Sequence, residues 1–220
     1  MTLARDWDFR DLTWYYWSEK FKGVRISWDG FDCWTRGGLR VKLPQWFRAE
    51  LPGGVELDGE GWLGRSHGNE LESQAAMMVV HGKISRRFKF KVFDAPGVQG
   101  DWAKRMKFAA QFANASVQPV EWGVVRHRDE ASEIAARIIA GGGEGAMFRS
   151  PNVFHYQAAR TLNLQRIKAR NLYAPWHGAK KEYQRQHSTS GFDVGLLAHD
   201  PEIEWNIRQA LHGDPALCTL

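Results

Sequence analysis

Cysteine is scarce in this sequence: Cys33 and Cys218 are the only two among 220 residues. There is no C-x-x-C pair and no series of cysteines spaced for several disulfides, which excludes a disulfide-stabilised scaffold and favours a reducing compartment. Long apolar runs are missing as well, and none approaches the length of a membrane span. Residues 1–10 alternate charged and apolar side chains and lack the apolar core of a signal peptide. We therefore expect a cytoplasmic protein that does not bind to or span a membrane.

The sequence does contain enough apolar material for a core, together with an excess of positive charge. Hydrophobic residues make up 43% of the chain, so disorder is not expected. A length of 220 residues suffices for one large domain, or for a domain with an appendage. The formal charge of +5 and the pI of about 9.3 favour a polyanionic partner.

Hydrophobic periodicity predicts a mixture of strands and helices. Alternation over 24–28 indicates a strand, Asp29-Gly30 a hairpin turn, and 31–35 the returning strand. Further strands are predicted at 87–93, 119–125, 144–149 and 164–168. Helices are predicted after Pro44, at 70–78, at 101–113 with Asp101 as N-cap, at 130–140 before three glycines, and at 200–213.

Polar residues recur at the ends of these strands. By itself, a lysine beside a glycine (Lys20 and Gly23) is typical of a solvated strand end, and the Asp-Gly-Glu segment at 58–60 of a turn. As a set, these residues supply a nucleophile, cations for phosphate, and carboxylates for a metal or a ribose hydroxyl. Chemistry on a nucleoside triphosphate needs those groups. The set is Lys20, Arg25, Arg36, Glu60, Glu144, Arg166 and Lys168.

Six short motifs occur in a fixed order over residues 19–170. They are Lys20-Phe21-Lys22-Gly23-Val24-Arg25, Thr35-Arg36-Gly37-Gly38, Asp58-Gly59-Glu60, Phe93-Asp94, Glu144-Gly145 and Arg166-Ile167-Lys168. In this order they resemble the covalent nucleotidyltransferases, and most closely the small ATP-dependent DNA ligases. The motifs of that family are K-x-D-G-x-R, S/T-R-x-G, D-G-E, an aromatic residue before Asp, E-G and K-x-K. Each match alone is weak, whereas six in order are a strong signal.

The resemblance implies an α+β, ATP-grasp-like nucleotidyltransferase fold of antiparallel sheets with flanking helices. It also implies an enzyme that seals nicks in duplex DNA through a lysyl-AMP intermediate, with ATP and Mg²⁺, in replication, repair or recombination. Lys20 is then the nucleophile. The implied ATP-binding residues are Lys20, Arg25, Arg36, Glu60, Phe93, Glu144, Arg166 and Lys168, with Phe93 stacking on adenine and Arg25 near the ribose. Glu60 and Glu144 are the implied metal ligands, and Arg36 takes the 5′-phosphate of the nick.

The sequence departs from the family in three places. Lys22 stands where the family has Asp, and Arg166 stands for a lysine, which keeps the charge but not its geometry. Residues 169–220 are too few for the complete OB-fold that follows in these ligases, and show no run of five strands. We therefore expect a nucleotidyltransferase domain at 1–170 and a short basic C-terminal appendage at 171–220. Lys22, Lys180 and Lys181 are expected to contact DNA beside Arg36.

Three functions remain open at this level. The first is a DNA ligase that acts on nicked duplex DNA as a monomer, either alone or with a partner protein that supplies the function of the OB-fold. The second is a nucleotidyltransferase of the RNA ligase type. The third, suggested by Lys22 and by the missing OB-fold, is a non-catalytic protein that binds DNA nicks or ends.

Overall fold

Two sheets with helices packed on them make up the part of the chain that the computed structural model describes, residues 1–65 and 69–172. All of these residues belong to one compact unit, Met1–Ala174. In chain order the strands are β1 (Leu3–Asp6), β2 (Tyr16–Glu19), β3 (Val24–Trp28), β4 (Cys33–Thr35), β5 (Arg40–Val41), β6 (Leu57–Trp62), β7 (Lys89–Asp94), β8 (Val117–Pro119), β9 (Trp122–Val124), β10 (Gly145–Arg149) and β11 (Arg160–Lys168). The helices are α1 (Gln45–Arg48), α2 (Glu70–His81), α3 (Trp102–Ala109), α4 (Glu130–Ala140) and α5 (Ala169–Leu172), and a 3₁₀ turn (Ala110–Phe112) follows α3.

The first sheet has five strands in the order β1-β11-β10-β2-β9, and the second has six in the order β5-β4-β3-β6-β7-β8. Neighbouring strands are antiparallel except for the pairs β1–β11 and β7–β8. The middle of the chain supplies the second sheet, whereas the first sheet joins segments from both ends of the described chain. The predicted α+β class, with antiparallel sheets and flanking helices, is confirmed.

Local sequence explains where several of these elements begin and turn. The β3–β4 hairpin turns at Gly30, whose φ of 95° suits glycine, and the Asp29 carboxylate accepts hydrogen bonds from the backbone N–H groups of Phe31 and Asp32. Helix α3 begins at Asp101, whose side chain accepts a hydrogen bond from the backbone N–H of Lys104. Both features were predicted, and so were α2 and α4.

Some elements differ from the prediction. Residues 119–125 were predicted as one strand, but they divide between β8 in the second sheet and β9 in the first. Between these strands the backbone N–H of Val120 bonds to the carbonyl of Val92, and the chain then crosses to the other sheet. The edge strands β1 and β5 and the inner strand β6 were not predicted, because their pairing partners rather than their own patterns define them. The segment 58–60, which by itself is typical of a turn, lies within β6.

Three apolar clusters fill the spaces beside the sheets. One lies between the six-stranded sheet and α2, a second between the five-stranded sheet and α4, and a third joins Trp102 and Met106 of α3 to Val120. The face of α3 that carries Trp102 and Met106 is therefore core. No helix among the described residues has the length and apolar character of a membrane span. The predictions for Lys180, Lys181 and the helix at 200–213 lie outside the described residues.

Candidate active site

A cavity of about 240 Å³ is lined by residues of both sheets. Six of the eight predicted ATP-binding residues lie on its wall: Lys20, Arg25, Arg36, Glu60, Phe93 and Arg166. The other two, Glu144 and Lys168, join the site through ion pairs beside Lys20. The fold thus gathers side chains that are as much as 148 residues apart in the sequence around one cavity, as Lys20 and Lys168 show.

Lys20 is held where β2 leaves the sheet. Its backbone N–H bonds to the carbonyl of Gly145 at 2.9 Å, and its ammonium Nζ lies 2.5 Å from Oε2 of Glu144. Three residues on, a Cβ at Gly23 would lie 2.2 Å from the carbonyl oxygen of Gly61, so only glycine lets the chain pass this close to β6. The lysine-to-glycine spacing therefore reflects a real packing constraint beside the cavity.

Glu144 is the acid between two lysines. Its second oxygen, Oε1, forms an ion pair with Lys168. Burial alone would raise the pKa of Glu144, but the ammonium groups of Lys20 and Lys168 outweigh it and hold that pKa below its usual value. Glu144 therefore stays ionised and fixes the position of both cations.

The next residue, Gly145, has a φ of 141°, and a Cβ there would lie 2.0 Å from the carbonyl oxygen of Ile167. The E-G motif is thus an acid aimed at the lysines, followed by the one residue type that fits between β10 and β11.

Glu60 is the second carboxylate of the site and lies on the strand β6. Burial raises its pKa to about 7, and the neighbouring charges of Lys20 and Arg25 only partly oppose that rise. The charge of Glu144 acts on it in the same direction as burial. Glu60 is therefore close to half protonated at neutral pH, while Glu144 is fully ionised.

This raised pKa predicts a pH-dependent stability. The folded protein keeps the proton on Glu60 between pH 4.5, the ordinary pKa of the carboxyl, and about 7, whereas the unfolded chain loses it. Stability is thus lost as the pH rises through that window, by about 3 kcal/mol for a shift of this size. Glu60→Gln is expected to match the unmodified protein below about pH 4 and to melt several degrees higher at pH 8. Thermal denaturation across pH without divalent cations checks this, and a difference that is constant with pH would contradict it.

Arg25 forms a buried ion pair that sequence reasoning did not assign. Its Nε and Nη2 donate to the two oxygens of Asp58 at 2.7 and 2.6 Å. The Asp58 side chain is only 1% exposed and also accepts a hydrogen bond from the hydroxyl of Tyr156. The Arg25 guanidinium lies 4.3 Å from the centre of the Phe93 ring. The predicted ribose-binding arginine and the predicted adenine-stacking ring are thus in contact with each other.

Arg166 and Lys168, which are two residues apart on β11, have different partners. Arg166 donates from Nε to Asp6 of β1 at 2.6 Å, while Lys168 joins Glu144. Arg36 reaches the cavity from the turn between β4 and β5. Lys22 lies in the loop beside Gly23, and its contact with DNA stays a prediction.

Arg149 is a functional candidate that the sequence analysis missed. It lines the cavity, is 8% exposed and donates to the Ser18 hydroxyl at 2.9 Å. Its guanidinium lies 4.3 Å from the centre of the Trp102 ring, and within the described parts of the chain no carboxylate forms an ion pair with it. Burial lowers its pKa to about 10, so it remains charged at neutral pH. The sequence feature that could have pointed to Arg149 is its position directly after the apolar run 146–148.

No family model matches the sequence. A DNA ligase of Haemophilus influenzae is 28% identical over 155 residues, which cover 69% of this chain and 56% of that protein. The chain thus matches little more than half the length of this curated relative.

Solved structures of ligases share the fold. A Lig E DNA ligase, described as a minimal scaffold for DNA binding, superposes with a TM-score of 0.66 at 24% identity, over 76% of this chain and 68% of the other. The DNA ligase-adenylate of Chlorella virus superposes with a TM-score of 0.62 at 16% identity, over 76% of this chain and 67% of the other. The ATP complex of the ATP-dependent DNA ligase of bacteriophage T7 superposes with a TM-score of 0.58 at 14% identity, over 76% of this chain and 68% of the other. The described chain therefore shares the fold of these solved DNA ligase structures.

Proposed function

We propose that this protein is an ATP-dependent DNA ligase that seals nicks in duplex DNA through a covalent lysyl-AMP intermediate. One observation carries the proposal: the Lys20 ammonium lies at the edge of a cavity that contains Arg25, Glu60 and Phe93, and is held there by Glu144. The sequence motifs, the ligase fold and the similarity to the Haemophilus influenzae ligase support it.

In the proposed reaction, the Lys20 ammonium first loses a proton to solvent, and the resulting amine attacks the α-phosphate of ATP. A nitrogen–phosphorus bond forms while the bond between the α-phosphate and pyrophosphate breaks, pyrophosphate leaves, and the nitrogen loses a second proton to solvent. Arg166 and Lys168 both lie on β11. They would bind the triphosphate and balance the charge that develops on the α-phosphate. The AMP then passes from Lys20 to the 5′-phosphate of the nick. Attack by the 3′-hydroxyl releases AMP and closes the strand.

The carboxylates of the site fit a hydrated Mg²⁺ ion shared with the substrate. Among residues 1–65 and 69–172 no group of three or more His, Cys, Asp or Glu side chains forms a cage. Mg²⁺ does not need one, because it is usually held by one or two carboxylates together with phosphate oxygens and water. Glu60 and Glu144 would hold it, and the ion would neutralise phosphate charge.

The proposed substrate, nicked duplex DNA, is expected to bind chiefly through its phosphates. Arg36, exposed at the edge of the cavity, is the proposed contact with the 5′-phosphate, and Lys22, Lys180 and Lys181 are proposed as further contacts. Each phosphate contact on duplex DNA contributes about 0.9 to the slope of log affinity against log salt concentration.

Arg36→Ala is therefore expected to weaken binding to nicked duplex DNA and to reduce that slope by about 0.9. Arg40→Ala is the matched control, because Arg40 is an exposed arginine four residues away that pairs with Asp32. Fluorescence anisotropy titrations at several salt concentrations give the slope. An unchanged slope in Arg36→Ala, or equal reductions in both variants, would remove Arg36 from the DNA interface.

The intact mass after incubation with ATP and Mg²⁺ tests the proposed function. A gain of one adenylyl group is expected, and its absence would favour the non-catalytic nick- or end-binding alternative that Lys22 suggests. Sealing of a nicked DNA duplex but not of a nicked RNA duplex separates the proposal from the RNA ligase alternative. Sealing by the purified protein alone would show that no partner is needed, and light scattering would test the proposed monomer.

The enzyme would act on nicks left by DNA replication, repair or recombination in the cytoplasm. The division into a nucleotidyltransferase domain at 1–170 and a basic appendage at 171–220 belongs to the same proposal.

A further inference from the structure

The hydroxyl of Tyr156 joins the N-terminal segment to the part of the candidate site that contains Arg25 and Asp58. It donates to Oδ2 of Asp58 at 2.5 Å and accepts a hydrogen bond from the backbone N–H of Thr2 at 2.9 Å. Tyr156 lies between β10 and β11, outside all six sequence motifs. Both Thr2 and Tyr156 line the cavity.

The Asp58 carboxylate is held by three hydrogen bonds. Two come from Arg25 in a bidentate pair, which fixes the two groups in one plane but leaves the pair free to pivot together. The third, from Tyr156, prevents that pivot because it comes from a different part of the chain. Burial, followed by the neighbouring Asp58 charge, raises the pKa of Tyr156, so the phenol keeps the proton that it donates.

The position of Arg25 depends on this arrangement. Its guanidinium lies over the Phe93 ring, and its Nη2 lies 3.5 Å from the carbonyl oxygen of Thr2. The side chain of Arg25 is 21% exposed, so the guanidinium is held mainly by protein partners. A pivot of the Arg25–Asp58 pair would move the Arg25 guanidinium relative to the Phe93 ring. Arg25 and Phe93 both line the cavity, so such a movement would change its shape.

We propose that Tyr156 is a positioning residue for ATP, which acts through Asp58 to hold Arg25 in the orientation that receives the nucleoside. The inference rests on the proposed function, since it assigns ATP to this cavity. Within the described residues, the side-chain hydrogen bonds of Tyr156 go to Asp58 and Thr2, and that of Lys20 goes to Glu144. Loss of the Tyr156 hydroxyl therefore affects the binding of ATP and leaves the attacking group in place.

Tyr156→Phe removes the hydroxyl alone. We expect the KM for ATP in self-adenylylation to rise about tenfold, as is typical for a lost hydrogen bond to a charged group, with the rate at saturating ATP within about twofold. Tyr16→Phe is the matched control, because its hydroxyl donates to a different carboxylate, Asp101, at 3.0 Å. It should leave KM unchanged. A fall in the saturating rate without a change in KM would overturn the inference, and so would equal effects of the two variants.

A double-mutant cycle tests whether Tyr156 acts through Arg25. In an Arg25→Lys background, which cannot form the bidentate pair, Tyr156→Phe is expected to change KM less than about twofold. A full tenfold rise in that background would show that Tyr156 acts independently of Arg25 and would overturn the inference. Thermal denaturation of all four proteins identifies any variant that fails to fold.

Failure of the inference can be distinguished from failure of the proposed function. Calorimetric titration of ATP into the Lys20→Ala protein measures binding without covalent chemistry, and adding Tyr156→Phe should weaken that binding about tenfold. If the unmodified protein takes up no AMP but this difference is present, the ligase proposal falls and the role of Tyr156 stands. If the protein is adenylylated but ATP affinity is the same with and without the hydroxyl, only the inference falls. If ATP does not bind at all, both are wrong.

Discussion

Lys20→Ala is expected to take up no AMP from ATP and to seal no nicks. Covalent catalysis by an amine has no substitute when the amine is removed, and the remaining cations of the site, Arg25, Arg166 and Lys168, cannot replace it. Arginine stays protonated, and Lys168 is paired with the other carboxylate oxygen of Glu144. The expected loss is therefore complete rather than partial. The intact mass after incubation with ATP and Mg²⁺ measures it directly.

Lys22→Ala is the matched control for this variant, because Lys22 is the next lysine and occupies the position of the motif where ligases carry Asp. It should still be adenylylated, and peptide mapping of the unmodified protein should place AMP on Lys20. AMP on Lys22, or retained in Lys20→Ala, would assign the nucleophile elsewhere.

Glu144→Gln is expected to slow self-adenylylation about a hundredfold while the protein remains folded. The amide keeps the size of the side chain but removes the charge that holds Lys20 and Lys168 together. An amine that is no longer fixed near the α-phosphate loses the advantage of orientation, and a displacement of about 1 Å can reduce a rate about a hundredfold. Both lysines are partly exposed, so the cost in stability is expected to be small.

Rapid-quench measurement of the single-turnover rate with labelled ATP tests this prediction. Glu133→Gln, on an exposed position of α4, removes a carboxylate away from the site and should react at the unmodified rate. A normal rate in Glu144→Gln would show that Lys20 is positioned by other contacts.

The motif residues of the site could be predicted because their spacing reflects backbone constraints. Gly23 and Gly145 are required where two strands come too close for a Cβ, and such constraints leave a fixed residue type in the sequence. The hairpin at Gly30 and the helix start at Asp101 were predictable for the same reason, because their causes lie within a few residues.

Partnerships between distant residues were not predictable. Arg25 pairs with Asp58, 33 residues away, and Arg166 with Asp6, 160 residues away, and no local pattern encodes either choice. Tyr156 and Arg149 lie outside the motif positions that point to chemistry, so their roles appear only when the strands are assembled. The crossing of residues 119–125 between the sheets was missed because strand propensity does not say which sheet a strand joins.

The strand order of the five-stranded sheet has a consequence for synthesis on the ribosome. The six-stranded sheet is complete once Pro119 has been made, but β2 has no antiparallel partner until β9 and β10 follow, and β1 waits for β11. Contacts of such sequence separation form late and slowly. The second sheet can therefore fold on the growing chain first, while Lys20 remains without Glu144. We expect a nascent chain stalled before residue 144 to be protease-resistant over 24–119 yet inert toward ATP, and reactivity to begin only after residue 168 has left the ribosome.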